Sequence, residues 1–231
     1  MNKKYMIVNA DDFGASTGVN RGIVDCHQKG ILTSTSFMVT GRAATEAVAM
    51  SRDNPNMSIG LHWDVWGEDE YQFDMSNTSA VREEIRRQLD EFDRFFGRLP
   101  SHVDSHRHAH REAFEIFREM IEPLGVPLRE DGKVKFVGGF YGQWEWMVTD
   151  LEHVSVATLE GILKKEVLPG FSEVSCHPGY VTPDYQAVYL IEREEEIRTL
   201  IHPRIKEILK EEDIHLISYA DYNRIAAQSA A

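Results

Sequence analysis

Short β-prone runs alternate with amphipathic helical segments from residue 5 to residue 219. That alternation restricts the chain to α/β architectures, because parallel neighbours in a sheet cannot be joined by a tight turn and each crossover takes a helix. Residues 5–9, 33–40, 57–65, 102–108, 126–128, 172–176 and 214–219 read as strands. Residues 19–29, 43–52, 79–96, 111–124, 154–167 and 191–212 read as helices. The clearest helix is 79–96, where Val81, Ile85, Leu89, Phe92 and Phe96 form one apolar stripe and Gly97 is placed to end it. Residues 133–150 read as a strand fragment and a long loop, with Gly138, Gly139 and Gly142 among Phe140, Tyr141, Trp144 and Trp146. No Pro/Ser-rich linker or tandem repeat interrupts the pattern, and 231 residues suit one domain spanning 1–231. About seven parallel strands then leave two architectures: a distorted (β/α) barrel with outer helices, or an open doubly wound sheet.

Polar residues at the strand ends separate the two. One strand ends in Asp11-Asp12, one in His62, one carries His102 to His110, and one ends in Cys176-His177-Pro178. A parallel barrel opens all its C-terminal strand ends onto one face, which holds the active site. An open sheet gathers ligands at one switch point. Polar ends on four strands favour the barrel.

Each residue alone has a plain reading as well as a functional one. Asp11 and Asp12 can divide metal binding and proton transfer, or can cap the helix that follows, although Ser16 and Thr17 are better placed to cap it. His62 can be a ligand or a hydrogen-bonded structural residue. A period of two puts Asp104, His106, His108 and His110 on one face. Imidazoles there suit Zn²⁺-like ions, or belong to an exposed histidine-rich turn. Asp104 can also accept the free N–H of a liganding histidine and set its tautomer. His177 can be an ordinary turn histidine. Arg129 can hold a carboxylate bidentately or form a structural ion pair. Trp63, Trp66, Tyr141, Trp144 and Trp146 can stack on sugar rings or pack onto the barrel or a second copy. Co-location on one face carries the inference.

The net charge of −13 disfavours nucleic acid and anionic membranes and suits a neutral or cationic small substrate. No apolar run reaches transmembrane length. The first residues do not form a signal peptide, and Cys26 and Cys176 make no disulfide framework. The expected location is the cytoplasm. P-loop, dinucleotide-fingerprint and nucleophile-elbow motifs are absent from the sequence.

The segments Val8-Asn9-Ala10-Asp11-Asp12-Phe13-Gly14, Gly18-Val19-Asn20-Arg21-Gly22-Ile23, Gly60-Leu61-His62, Pro100-Ser101-His102-Val103-Asp104-Ser105-His106-Arg107-His108, Cys176-His177-Pro178-Gly179-Tyr180 and the charged run 192–196 resemble the YdjC-like carbohydrate deacetylases, which include chitooligosaccharide deacetylases. The resemblance implies a distorted TIM-like barrel, one divalent metal ion per site and hydrolysis of an N-acetyl group on a small or oligomeric sugar. It maps the metal ligands onto Asp12, His62 and His106, the base onto Asp11, the acid onto His177, and a role holding Asp11 onto Arg129. The ion is expected to be Zn²⁺ or Mg²⁺, with Co²⁺ or Ni²⁺ as alternatives, and the family is often dimeric. The loop Trp63-Asp64-Val65-Trp66-Gly67-Glu68-Asp69-Glu70 departs from the family's Thr- and Gly-rich turn and longer insertion. The resemblance therefore speaks for the chemistry more than for a particular sugar. The rival readings are a two-ion phosphoesterase, with His108 and His110 as extra ligands, and a non-catalytic sugar-binding protein.

Overall fold

The computed structural model describes residues 3–67, 70–145 and 147–229. Among them, seven strands form one sheet in which every pairing is parallel. They are β1 (Lys4–Phe13), β2 (Ser34–Phe37), β3 (Ser58–Trp63), β4 (Val103–Ser105), β5 (Lys135–Val137), β6 (Gly170–Cys176) and β7 (Ile214–Leu216). The order is β4-β3-β2-β1-β6-β5, with β7 laid along the first residues of β1. The helices are α1 (Thr17–Lys29), α2 (Ala44–Arg52), α3 (Thr78–Phe96), α4 (Phe114–Ile121), α5 (Val156–Lys165), α6 (Ile191–Leu200), α7 (Pro203–Glu211) and α8 (Tyr219–Ser229). This is the distorted TIM-like barrel expected from the polar strand ends and the family resemblance, and not the open doubly wound sheet. No helix among the described residues is long and apolar enough to cross a membrane.

Strand periodicity sorts the side chains into two layers. Met6, Val8 and Ala10 of β1, Ile59, Leu61 and Trp63 of β3, and Val174 and Cys176 of β6 join the main apolar core. Phe37 of β2 meets Phe92, Phe95 and Phe96 of α3 edge-on, which is where the stripe read from 79–96 is buried. The alternate positions form a polar layer. Ser36 Oγ lies 2.8 Å from Asn9 Nδ2, 2.6 Å from Asp104 Oδ2 and 3.0 Å from His102 Nε2. Strand C-termini therefore deliver polar groups to one end, as the polar strand ends implied.

Several boundaries differ from those read in the sequence. The strand expected over 102–108 is only β4. Arg107 and His108 then take left-handed backbone (φ 49 and 54), so the period-two face ends before His108. Residues 126–128 form no strand, and Leu128 makes one isolated parallel bridge to Val103. The helix expected over 191–212 is two helices. Pro203 lacks the N–H a continuous helix needs, and His202, extended at ψ 130, caps α7 through its ring nitrogen. The strand expected over 214–219 stops at Leu216, and α8 follows.

Gly60 faces the His102 ring so closely that a Cβ there would lie 2.3 Å from it. The ring cannot yield: it is fully buried, lies against the Tyr219 ring at 3.9 Å, and contacts Ser36 and Ser101. Gly60→Ala is expected to destabilise the fold by about 2 kcal/mol, read as a lower urea midpoint; an unmoved midpoint contradicts this packing.

Burial also holds His102 neutral, with its pKa lowered from 6.5 to about 3. The unfolded chain takes up that proton first, so this stability is present above about pH 6.5 and is lost as pH falls toward 3. Urea midpoints should fall between about pH 7 and pH 4, and a flat profile over that range counts against the buried neutral ring.

Candidate metal-binding active site

The end of β1 is built to present two adjacent carboxylates. Ala10 pairs with Thr35 and Phe13 with Phe37, so β1 spends one more residue than β2 over this stretch. Asp12 sits in the extra step at φ 71. Such a bulge re-aims side chains, and here both acids line the same cleft instead of pointing to opposite faces. The capping alternative does not hold: Ser16 Oγ accepts the Val19 N–H of α1 at 3.1 Å.

The two acids keep separate company. Asp12 Oδ1 lies 3.1 Å from His106 Nδ1 and 3.4 Å from His62 Nε2, while its Oδ2 accepts from Arg193 Nη2 at 2.5 Å. Donor atoms of Asp12, His62 and His106 all lie within 4.8 Å of one another. His62 Nδ1 is 2.7 Å from Asp104 Oδ1, which turns Nε2 toward Asp12 and fixes the ring. Asp11 is gripped by Arg129 through two bonds of 2.8 Å, and Asn9 Nδ2 donates to the same carboxylate at 3.0 Å. His177 Nε2 lies 3.8 Å from Asp11 Oδ2.

The electrostatics follow from that pairing. Burial opposes charge on Asp11, but the Arg129 guanidinium outweighs it and keeps the carboxyl below its usual range. Burial is likewise overcome at Asp12 by Arg193 and the two histidines, which hold it well below. Burial would lower His62, yet Asp104 and Asp11 push it well above its ordinary value. Three ionised carboxylates, Asp11, Asp12 and Asp104, share two guanidiniums, and the third negative charge is what raises His62; a metal cation bound by His62 would answer that charge in place of the proton. Two imidazoles and one carboxylate, one imidazole oriented by an outer carboxylate, fit a divalent ion with coordination positions left for water and substrate. His177 is lowered by burial to about 4 and is neutral at pH 7.

All six residues singled out from the sequence, Asp11, Asp12, His62, His106, Arg129 and His177, thus meet at one end of the barrel. His108 and His110 do not join the ligand set. They gather at Glu130, with ring nitrogens 3.9 and 3.4 Å from Oε2, and Arg111 pairs the same carboxylate. A second cluster, Asp11, His62 and Asp104, already carries Arg129 on both acids.

The cleft above these groups has a volume of about 1000 Å³. Trp63 is wholly buried against Phe117 and belongs to the core, so it cannot stack on a sugar. Trp66 packs under Arg107 and against Tyr71, and its Nε1 donates to the His106 carbonyl. Tyr141 and Trp144 line the cleft and are 38% and 64% exposed, with one face of the Tyr141 ring stacked on Tyr189. Trp146, Glu68 and Asp69 lie outside the described residues.

Helix α6 holds partners that residue-level reading missed. Arg193 pairs Asp12. Glu196, fully buried and raised by that burial to about 8, accepts the His177 backbone N–H and the Tyr189 hydroxyl. Glu192 binds Gln143 and Thr149 of the aromatic loop. The charged run 192–196 was the available signal, but a surface helix carries similar runs. Gly22 has a matching purpose: a Cβ there would lie 2.6 Å from the Gly179 Cα, so α1 can approach the turn that carries His177.

A curled parallel barrel with a two-histidine, one-carboxylate cation site and a second acid beside it defines a metal-site hydrolase architecture. The profile of the YdjC-like protein family matches residues 5–211, and the chain belongs to that family. It is similar to a chitooligosaccharide deacetylase of Serratia marcescens, 29% identical, covering 95% of this chain and 99% of that protein. It is also similar to carbohydrate deacetylase 2 of Listeria innocua, 30% identical, covering 94% and 98%. In structure it resembles an Enterococcus faecalis V583 protein (TM-score 0.79, 24% identity, covering 95% and 98%). A family 4 carbohydrate esterase of Streptomyces lividans in complex with acetate shares the fold more distantly (TM-score 0.56, 12% identity, covering 92% and 91%).

His106→Ala removes one of three candidate ligands. Bound metal per chain after dialysis is expected to fall about tenfold or more, measured by plasma mass spectrometry; undiminished metal would take His106 out of the set.

Proposed function

We propose that this protein is a metal-dependent carbohydrate deacetylase that removes the acetyl group from N-acetylated sugars, N-acetylglucosamine-containing mono- or oligosaccharides. One observation carries the reading: adjacent acids, one on His62 and His106 and the other on Arg129, facing a single cleft. The curated relatives named as deacetylases support it.

Asp12, His62 and His106 would hold the ion, which supplies Lewis acidity, lowering the pKa of a water and polarising the acetyl carbonyl. Imidazole donors suit Zn²⁺, Co²⁺ or Ni²⁺ better than Mg²⁺, and Zn²⁺ is the proposed ion. Asp11 takes the proton from the attacking water, its carboxylate aimed by Arg129 and Asn9. His177, neutral at rest and 3.8 Å from Asp11, takes up the proton that Asp11 removed from the water and passes it to the departing amine nitrogen. Bond order is conserved: the amide C–N bond breaks, a C–O bond forms, and acetate and a free amine leave. Trp144, the more exposed of the cleft aromatics, is the candidate to stack on the apolar side of a sugar.

A two-ion phosphoesterase is the weaker reading, because its extra imidazoles sit at Glu130. The same proposal takes the protein as cytoplasmic, supported by two free buried thiols, and as a homodimer that would cover the exposed Met147, Val148 and Ile191.

The test is acetate release from N-acetylglucosamine and its oligomers after reconstitution with Zn²⁺, Co²⁺, Ni²⁺ or Mg²⁺. Asp11→Asn is expected to keep its metal and lose about 10²-fold or more in turnover. A fully metallated wild type inert on every acetylated sugar ends the proposal, and near-normal turnover in the variant ends the assignment of Asp11 as base.

A further inference from the structure

Beneath the cleft, away from the reacting groups, lies a buried pair with no place in the chemistry so far. Glu173 faces the barrel interior from β6, and Tyr219 opens α8, the helix absent from the sequence reading. Tyr219 Oη donates to Glu173 Oε2 at 2.6 Å. Arg129 donates to Glu173 Oε1 through Nε at 3.0 Å and Nη2 at 2.7 Å. The far edge of the same guanidinium grips Asp11, and Nη2 lies 2.8 Å from Asp104 Oδ2.

We propose that Glu173 and Tyr219 are positioning residues that hold Arg129 in the orientation aiming Asp11, so that the C-terminal segment forms the floor of the active site. The inference rests on the reading of Asp11 as the base.

Arg129 needs such a floor. Its backbone makes one hydrogen bond to β4, Arg129 N–H to the Val103 carbonyl at 2.9 Å, and Glu130 beside it is left-handed at φ 67. No strand extends through it, so its side-chain partners set where the guanidinium lies. Three carboxylates pull on it, and its position is their balance. Removing charge on the Glu173 side lets it move toward Asp104 and Asp11. Tyr219 keeps Glu173 from turning away. Its ring is stacked on His102, and its backbone N–H donates to Ser34 Oγ at 3.1 Å. Arg129, Glu173 and Tyr219 are each 1% exposed, so water does not screen these pulls. Sub-ångström displacement of a reacting group is enough to slow turnover.

The experiment compares Tyr219→Phe and Glu173→Gln, each in the wild type and in Asp11→Asn, with an N-acetylglucosamine oligosaccharide as probe. Expected are a loss of about tenfold in kcat, KM within about twofold of wild type, unchanged metal per chain, and no further loss in the Asp11→Asn background. Wild-type kcat in both variants, or an equal loss with and without Asp11, overturns the proposal. Tyr219→Phe removes one hydroxyl and carries the test if Glu173→Gln does not fold. A wild type that releases no acetate refutes the deacetylase reading instead. The aiming is then read from solvent exchange of the Arg129 Nε–H by ¹⁵N NMR. Exchange about tenfold faster in Tyr219→Phe supports the floor, and an unchanged rate overturns it.

Discussion

A guanidinium buried among three carboxylates organises this protein. Arg129 touches Asp11, Asp104 and Glu173 at 2.7–2.8 Å with almost no exposure to water. Asp11 is the acid left outside the ligand set, and Asp104 orients His62. One side chain therefore sets the proposed base and, through Asp104, one proposed metal ligand together. Breaking a buried pair of this kind costs about 3–5 kcal/mol, because the partner charges are left uncompensated. The barrel can keep such charges inside only because each has a counter-charge or hydrogen bond within reach.

The rest of the scaffold delivers the other half of the site. The β1 bulge turns Asp12 to the same side as Asp11. Helix α6 then supplies Arg193 to Asp12 and Glu196 to the His177 backbone from positions three apart, on one helical face. Each of the two adjacent acids thus has its own arginine, one from the segment after α4 and one from α6. In the proposed chemistry that separation lets one carboxylate meet the cation while the other is kept for a proton.

Much of this was legible in the sequence, for identifiable reasons. Alternation of strand and helix is a local pattern, so a parallel α/β architecture was readable, as was the stripe of α3, and the polar strand ends favoured the barrel over an open sheet. Polar residues at strand ends are visible as interruptions of apolar runs, which is why Asp11, Asp12, His62, His106 and His177 could be placed on one face. Strand periodicity put Asp104 and His106 on one face, and a carboxylate serving a liganding histidine was among the readings, though not that this histidine is His62. The same periodicity failed two residues later, because the left-handed turn at Arg107 and His108 has no marker such as glycine. The break at Pro203 was in plain view, but the charged helical pattern on both sides concealed it. Glu173, Arg193, Glu196 and Tyr219 gave no individual signal, since an acid inside a strand or a charge on a helix is ordinary until its burial is known.

The sequence by itself determined the fold class, the end of the barrel that gathers polar groups and the identities of most residues that meet there, because these depend on local periodicity and side-chain type. Only the tertiary structure decided which acid faces which partner. Pairing across more than a hundred residues, as between Asp11 and Arg129 or Asp12 and Arg193, depends on how the sheet curls and where helices dock. It also decided that His108 and His110 turn to Glu130, that Trp63 is core, and that Tyr219 lies beneath the site, since burial is a property of the assembled barrel and not of any window of sequence.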